Sequence, residues 1–491
     1  MKLTTLYNEL EKKYPKRISS LNESYKIIPT EKSVEETTTH VDGLQIQGKT
    51  KLLGVLNNNI EPVVTNNDQR LDDIKIIGIT GSVGKSSVAY LTHKYLEFIG
   101  KKSILYSSIE IDSKASSKIP HAAAETSLAN EAVIMDILEE AIAYNAEYIV
   151  LEVNETTISS GIVKNIPFTI KALTNIEKDN SFGFIEDEEY VNSKKSFFIK
   201  QNEDDNFISF FGMNYLLSRE EFNDLLMLSD NEVITYGSKY ACIMRNADYT
   251  NIDYLAQDGL CSMEGIEFTI KNNEREFRIK SSLLDLFNAT NIALVVAMLD
   301  RLEVFNEEIF KAFISDIQIP GRNELIKVKD RFIVIGINMY PILENFKTCQ
   351  KRQEINNIKV VIGSMGSGFN AWEEKFQHER RVSSLYTARQ ASANYAVKTA
   401  GYIYITSNDP AASDPLEIAN EIKGYINNRK PSEIIVDRKQ AIRQAILESQ
   451  AGDLIFIGGR GNRQYFCKSA TEYEVFTDLE VVQEVIKDLG W

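Results

Sequence analysis

The sequence predicts an α/β protein built as three domains, and three observations carry that prediction. The first is Ile74–Ser87, written IKIIGITGSVGKSS. It is a β-branched apolar run, then a Gly-rich turn, then the start of an apolar-periodic stretch reaching Phe98. The second is a long series of short apolar runs alternating with amphipathic stretches, the pattern of parallel strands joined by crossover helices. The third is the break at Pro320-Gly321-Arg322, after which the alternation starts again. The predicted domains are residues 1–72, small and N-terminal, 73–318, a central phosphate-loop sheet with a β-rich elaboration, and 319–491, Rossmann-like.

In chain order, Leu3–Leu10 reads as weakly helical and Gly43–Val55 as strand-like, with Asn57–Asn59 and Thr65–Asp68 as loops. Ser103–Tyr106 is a short strand, Leu128–Tyr144 an amphipathic helix, and Glu147–Val153 a buried strand carrying the acid Glu152. Phe168–Thr174 is a further strand. The elaboration spans residues 205–285, where Cys242–Met244, Phe268–Ile270 and Phe277–Ile279 read as strands, and Asn288–Leu299 follows as a helix. In the last domain, strands are predicted at Arg331–Ile335, Lys359–Ile362, Tyr402–Thr406, Glu433–Val436 and Asp453–Ile457. The helices between them are Ile342–Lys351, a long one near Glu373–Lys398, Pro415–Ile426 and Lys439–Glu448.

Composition narrows the function. Lys and Arg number 55 against 70 Asp and Glu, a formal charge of −15, which argues against a general nucleic-acid binder. Cys242, Cys261, Cys349 and Cys467 are scattered without a CxxC pair, so neither a disulfide framework nor a zinc site is expected. The N-terminal stretch has no signal-like apolar region, and no run is long enough to span a membrane. A cytoplasmic protein without nucleic-acid or membrane partners is therefore expected. His40, His93, His121 and His378 do not cluster and read as structural.

The chemistry centres on Ile74–Ser87. A strand, a Gly-rich turn and a helix N-terminus aim backbone N–H groups at one point, which is a phosphate site. The strict phosphate-loop pattern wants a Gly where Ile79 stands, and Gly78 lies one place early. Ligands of parallel sheets bind at the strands' carboxyl ends, where the loop and Glu152 both fall.

Gly78–Ser87 resembles the loop of the Mur ligase family in full, including the displaced first Gly. Further segments resemble that family in the same order: the strand ending at Glu152, Thr174-Asn175-Ile176 with Asp179, Tyr190–Lys194, Phe287–Asn291 and Ile319–Glu324. Asn408-Asp409-Pro410, Asp437-Arg438 and Gly459-Arg460-Gly461 resemble the tripeptide synthase type, which adds a diamino acid. The resemblance implies an ATP- and Mg²⁺-dependent ligase joining a small-molecule carboxylate to an amino acid through an acyl phosphate. It implies that Gly81, Gly84, Lys85, Ser86 and Ser87 hold phosphates, with Lys85 catalytic. It puts Ser86 and Glu152 on magnesium, and makes Lys194 a carbamylated, catalytic residue on a second magnesium. Asn288 and Asn291 fall near the adenine, Arg322 at the join of the domains also binds the nucleotide, and Glu125, Asn408 and Asp409 fall on substrate. Without modification, Lys194 reads as a solvated lysine beside Lys195.

This sequence also departs from the family. Asp-His after Thr-Asn is Asp179-Asn180, and the muramyl-contacting Thr-Thr-Pro-Glu is Ala122-Ala123-Ala124-Glu125. Ser-Ser-His-Ala is Asn154-Glu155-Thr156-Thr157, Asp-Tyr-Ala-His is Gly336–Met339, and the Arg that selects diaminopimelate is Ala411. Three readings follow: a ligase of cell-wall precursors adding an amino acid such as lysine, a related ligase of a non-murein carboxylate, and a nucleotide-binding pseudo-ligase acting as a partner protein.

Overall fold

The computed structural model describes residues 26–27, 38–41, 44–47, 72–113, 117–118, 131–176, 187–201, 203, 205–213, 219–244, 250–337, 342–367, 378–469 and 472–491. Near the N-terminus, β1 (Lys26–Ile27), β2 (Thr38–Val41) and β3 (Leu44–Gln47) pair antiparallel in the order β1-β3-β2. The helix expected at Leu3–Leu10 lies outside the described residues.

An eleven-stranded sheet dominates the middle of the chain. Its strands are β4 (Lys75–Thr80), β5 (Ser103–Tyr106), β6 (Ile111–Asp112), β7 (Ser117–Lys118), β8 (Tyr148–Glu152), β9 (Ile170–Leu173), β10 (Ile208–Met213), β11 (Val233–Ser238), β12 (Tyr254–Ser262), β13 (Gly265–Lys271) and β14 (Glu276–Ser281). The spatial order is β14-β13-β12-β11-β10-β9-β4-β8-β5-β6-β7. Strands β12 through β5 in that order run parallel, and an antiparallel hairpin closes each edge. The β-rich stretch after residue 205 is thus an extension of the same sheet. It contains helices the sequence hid: α5 (Arg219–Leu226) and α6 (Lys239–Met244) come after α1 (Lys85–Phe98), α2 (Glu131–Tyr144), α3 (Glu155–Ser159) and α4 (Asp187–Ser196). Cys242–Met244, expected as a strand, is the end of α6. Three apolar residues in a row suit either state, and length could not arbitrate.

The central strand shows why the sheet is covered on both faces. Ile77 and Ile79 enter one core with Val88, Leu91, Ile292 and Val296, from α1 and α7 (Phe287–Arg301). Ile74 and Ile76 enter the other with Ile134, Leu138 and Phe198. A strand buried on both faces needs apolar residues throughout, hence the unbroken run. Strand order reverses at β4: the chain crosses to β5 beyond β8 and later returns to β9 on the opposite side. The crevice at such a switch point is where the Gly-rich loop sits.

After α8 (Glu307–Ile314) and the Pro320-Gly321-Arg322 turn, a second sheet forms. Its strands are β15 (Glu324–Val328), β16 (Arg331–Ile335), β17 (Ile358–Ile362), β18 (Tyr402–Ile405), β19 (Ser432–Ile434) and β20 (Leu454–Ile457), in the order β15-β16-β20-β17-β18-β19. All but the β15–β16 pair are parallel. One face packs on α9 (Ile342–Lys351), α10 (His378–Thr399) and α11 (Pro415–Ile426); the other packs on α12 (Arg438–Leu447) and α13 (Asp478–Asp488). A hairpin, β21 (Tyr465–Cys467) with β22 (Tyr473–Val475), precedes α13. Among the described residues no helix is long and apolar enough to cross a membrane.

Candidate active site

The Gly-rich loop is shaped by what crowds it. Gly81 has φ +142°, and a Cβ there would lie 2.0 Å from Thr174 Oγ1; Gly84, at φ +90°, would meet Asn291 Oδ1 at 2.7 Å. Gly78 is needed for another reason, since a Cβ there would come within 2.5 Å of the Phe168 ring. The displaced first Gly is therefore a packing residue under two phenylalanines, Phe168 and Phe197, and the turn itself needs only Gly81 and Gly84.

Thr174 and Asn175, at the end of β9, brace the loop. Ser82 N donates to Asn175 O at 3.0 Å and Val83 N to Asn175 Oδ1 at 2.9 Å. Val83 O accepts from Asn175 Nδ2 and from Thr174 Oγ1, both at 2.7 Å. Ser82 Oγ pairs with the Tyr190 hydroxyl at 2.7 Å. Helix α1 starts after Gly84 with no side-chain cap, so its first-turn N–H groups face the crevice. Lys85 Nζ lies 3.3 Å from Ser82 O, folded over the loop.

Beside the loop is an acid corner. Ser86 Oγ donates to Glu152 Oε1 at 2.9 Å, and Ser108 N donates to Glu152 Oε2 at 2.8 Å. Arg322 reaches in from the join, its Nη2 3.2 Å from Ser108 Oγ and its Nη1 3.2 Å from Asn462 Oδ1. Asn462 Nδ2 returns to Ile109 O at 2.8 Å. Arg322 thus ties the acid corner to the loop after β20. Ser86 and Glu152 offer oxygen atoms only, the donor set a hard cation such as Mg²⁺ prefers.

Lys194 is not a solvated lysine: its side chain is fully buried. Nζ donates to Gly81 O and to Glu155 Oε2, each at 3.0 Å, and lies 4.5 Å from the Tyr190 ring centre. Burial pushes its ammonium below the ordinary lysine value, with Glu155 pulling the other way. Burial would raise the Glu155 carboxyl, but Lys194 and Lys85 outweigh it and hold it below the ordinary carboxylate range.

Asn288 and Asn291 are buried in the first turn of α7. Asn288 Nδ2 donates to Leu284 O at 2.7 Å and its Oδ1 accepts from Asn291 Nδ2 at 3.1 Å. These bonds tie the start of α7 back to Leu284, and Asn291 Oδ1 faces Gly84 of the loop. Asp285, at φ +76°, accepts from Phe287 N and Asn345 Nδ2, and burial raises its carboxyl to about 6.

The loops after β16, β17, β18 and β20 line the carboxyl edge of the second sheet. Asn408 and Asp409 are both buried there. Asp409 has φ +46° and accepts from Cys467 N at 3.0 Å; its Oδ2 stands 3.8 Å from Arg460 Nε and from Arg463 Nη1. Asn408 Oδ1, Asp409 Oδ2 and Arg460 Nε and Nη2 are buried without a hydrogen-bond partner. Ala411, at φ +48°, packs on Cys467 and Met365. Arg438 forms a buried two-pronged pair with Asp478, both contacts 2.7 Å, and its Nη2 also donates to Gly458 O.

The structure therefore brings Gly81, Gly84, Lys85, Ser86, Glu152, Lys194 and Arg322 around one crevice, with Ser87 buried behind it in α1. Asn408 and Asp409 belong to the second sheet's own edge. Glu125, Asp179 and Asn180 lie outside the described residues, as do Asn338 and Met339. Sequence reasoning missed Glu155 as the partner of Lys194, and Arg463 beside Met365 at 3.5 Å. Glu155 did show as an acid where the resemblance wants none, but its partner is 39 residues away. The four cysteines are free and buried, and burial pushes the Cys349 and Cys467 thiols up to about 12. His93 is buried against Ser103, Glu97 and Asp112, whose carboxylates Lys94 also pairs.

A switch-point phosphate loop with a serine–acid pair, bridged by one arginine to a second parallel sheet, defines a two-sheet nucleotide-binding α/β protein. Residues 79–299 match the family model of the Mur ligase middle domain. A UDP-N-acetylmuramoyl-L-alanyl-D-glutamate–2,6-diaminopimelate ligase of Oceanobacillus iheyensis is 23% identical over 425 residues, 84% of this chain and 78% of that relative. A solved ligase of the same name superposes with TM-score 0.56 at 19% identity, covering 85% of this chain and 79% of the other. The MurF ligase of Thermotoga maritima, solved in complex with ADP, gives TM-score 0.55 at 15% identity over 85% and 80% of the two chains.

Proposed function

We propose that this chain is an ATP-dependent, ADP-forming ligase that joins an amino acid to the carboxylate of a UDP-N-acetylmuramoyl peptide in cell-wall precursor synthesis. The observation that carries the reading is the Ser86–Glu152–Ser108–Arg322–Asn462 chain. It couples a phosphate loop to a second domain, as a reaction needs when it first activates a carboxylate and then admits an amine.

The residues divide the work as follows. The carboxylate attacks the γ-phosphorus and ADP leaves; the amine then attacks the acyl carbon and phosphate leaves. Such transfer depends on positioning and charge neutralisation. The N–H groups after Gly84 and the Lys85 ammonium bind phosphate oxygens, and Thr174 and Asn175 keep the loop in shape. Ser86 and Glu152 would hold Mg²⁺, which neutralises phosphate charge when bound. Arg322 keeps the second sheet's edge, with Asn408 and Asp409, in register with that corner.

For the acceptor, Ala411 leaves no cation in the loop after β18, which favours lysine. Arg463 beside Met365 and Asp409 supports a second reading, in which a distal carboxylate is met from the loop after β20. Magnesium-dependent ADP release with UDP-N-acetylmuramoyl dipeptide, tested with lysine and with diaminopimelate, decides between them. Better use of diaminopimelate, lost in Arg463→Ala, establishes the second; no ADP release with any muramyl precursor refutes the ligase reading. The same reading treats residues 1–72, 73–318 and 319–491 as separate folding units. A fragment of residues 319–491 that fails to unfold cooperatively by itself counts against that division.

A further inference from the structure

We propose that Lys171, on β9, is a positioning residue for the phosphate loop: its ammonium sits among three phenylalanine rings, clamps the end of α4, and so fixes from behind the two elements that brace the loop. The proposal deepens the ligase reading, and all it takes from that reading is that the loop binds nucleotide.

A lysine is out of place at this position. Strand β9 lies inside the sheet between β4 and β10, and Lys171 stands in register with Gly78 on one side and Ser209 on the other. Ile170, Ala172 and Leu173 around it are wholly buried, and Lys171 is itself buried. A charge taken out of water costs free energy that an apolar side chain avoids. The surroundings nevertheless keep a cation. Nζ lies 3.8 Å from the centre of the Phe207 ring, 5.0 Å from that of Phe197 and 5.5 Å from that of Phe168. It donates to Phe197 O at 2.8 Å. Burial lowers the ammonium to about 8, with the Asp205 carboxylate pulling the other way, so the charge is present at neutral pH.

What this cation holds is the end of the helix beside the loop. Phe197 directly follows α4, and its carbonyl belongs to the group that a helix end leaves without an internal partner. A cation there also meets the negative end of the helix dipole. Helix α4 carries Tyr190, whose hydroxyl pairs with Ser82 Oγ, and Lys194, whose Nζ donates to Gly81 O. Strand β9 leads from Lys171 to Thr174 and Asn175, the braces of Val83. Phe168 and Phe197 also close over Gly78 on β4, where an added Cβ would collide with both rings. One ammonium thus joins the strand that leads into the loop, the strand that braces it and the helix that braces it from the side. Lys171 acts through these elements and takes no part in the chemistry itself.

The test is Lys171→Met in the full chain, which keeps the length and leaves an apolar side chain among the rings. The expected result has two opposite parts. The thermal midpoint holds or rises, because a buried charge is gone. Hydrogen exchange at residues 190–199 and 82–85 nonetheless speeds up by ~10-fold or more, and ADP binds several-fold more weakly by calorimetry. ADP release in the ligase assay falls by ~10-fold or more, the cost of a displaced loop. Lys171→Arg, which keeps a cation against Phe197 O, should recover most of the protection and of the ADP affinity. Phe207→Leu, which removes the nearest ring, should loosen the same two segments to a smaller degree. A lowered midpoint with faster exchange throughout the sheet makes Lys171 a structural residue and overturns the proposal. So does unchanged exchange in both segments. A wild-type chain that binds ADP but releases none with any ligase substrate defeats the proposed function, and exchange and ADP affinity then decide this inference by themselves.

Discussion

The two strand-edge regions that face each other across Arg322 are built on opposite plans. Around the phosphate loop, Asn175 alone makes three hydrogen bonds to Ser82 and Val83, and non-Gly residues keep ordinary backbone angles. At the edge of the second sheet, Asp409 and Ala411 both sit at positive φ, and Asn408, Asp409 and Arg460 carry buried atoms without hydrogen-bond partners. Strain and unmet polar groups concentrate where a site must adapt to its ligand. The phosphate half leaves one such atom, Thr80 Oγ1, beside a loop held by many bonds, whereas the second half depends on electrostatic balance among Arg438, Arg460, Arg463, Asp409 and Asp478.

The largest expected effect strikes the second region. Arg438→Met takes both short contacts from buried Asp478 and leaves it Arg460 Nη1 at 3.7 Å, which should cost about 3–5 kcal/mol. Urea unfolding should show the loss in the second sheet while the phosphate-loop sheet keeps its midpoint. Equal loss in both would mean that the two regions are one cooperative unit. Next, Lys85→Ala should lower ATP turnover by at least ~100-fold, about 3 kcal/mol in the transition state, with an unchanged fold by circular dichroism. Turnover like the wild type's would remove Lys85 from the mechanism.

A smaller effect tests the seam between them. The Asp285 carboxyl titrates at about 6 in the fold against about 4 when exposed. Its contribution to stability is complete below pH 4 and is lost as pH rises through 6. Asp285→Asn keeps both hydrogen bonds and suits the positive φ, so it should add about 2 kcal/mol at pH 7 and almost nothing at pH 4. A gain independent of pH would assign the effect to something other than ionisation. Last, Tyr190→Phe removes one brace from Ser82 and should cost about 1 kcal/mol, read as a several-fold rise in KM for ATP with little change in kcat. A fall in kcat alone would place Tyr190 in the chemistry.

The same contrast explains what the sequence made legible. The strands at Lys75–Thr80 and Arg331–Ile335 are rich in β-branched residues and mostly buried, so local composition was enough. The loop could be read because its glycines and Lys85 are adjacent in sequence. Short α6 could not be told from a strand, and α13 was passed over although Thr477 and Glu480 form a capping box. Asn288 donates to Leu284 O, ahead of α7, and accepts from Asn291 Nδ2 within it, contacts that the spacing of the two residues does not report. The Lys194–Glu155 and Asp409–Arg463 pairs join residues 39 and 54 positions apart (463 less 409), and no local pattern reports such a meeting.

Arg322 also sets an order of events during synthesis. Two of its side-chain contacts lie 214 residues before it, at Ser108, and 140 after it, at Asn462. Domains of a growing chain fold in the sequence in which they emerge. The phosphate loop, its braces and Glu152 are complete before Asn462 has been made. The bridge through Arg322 therefore closes only once the loop after β20 has been made.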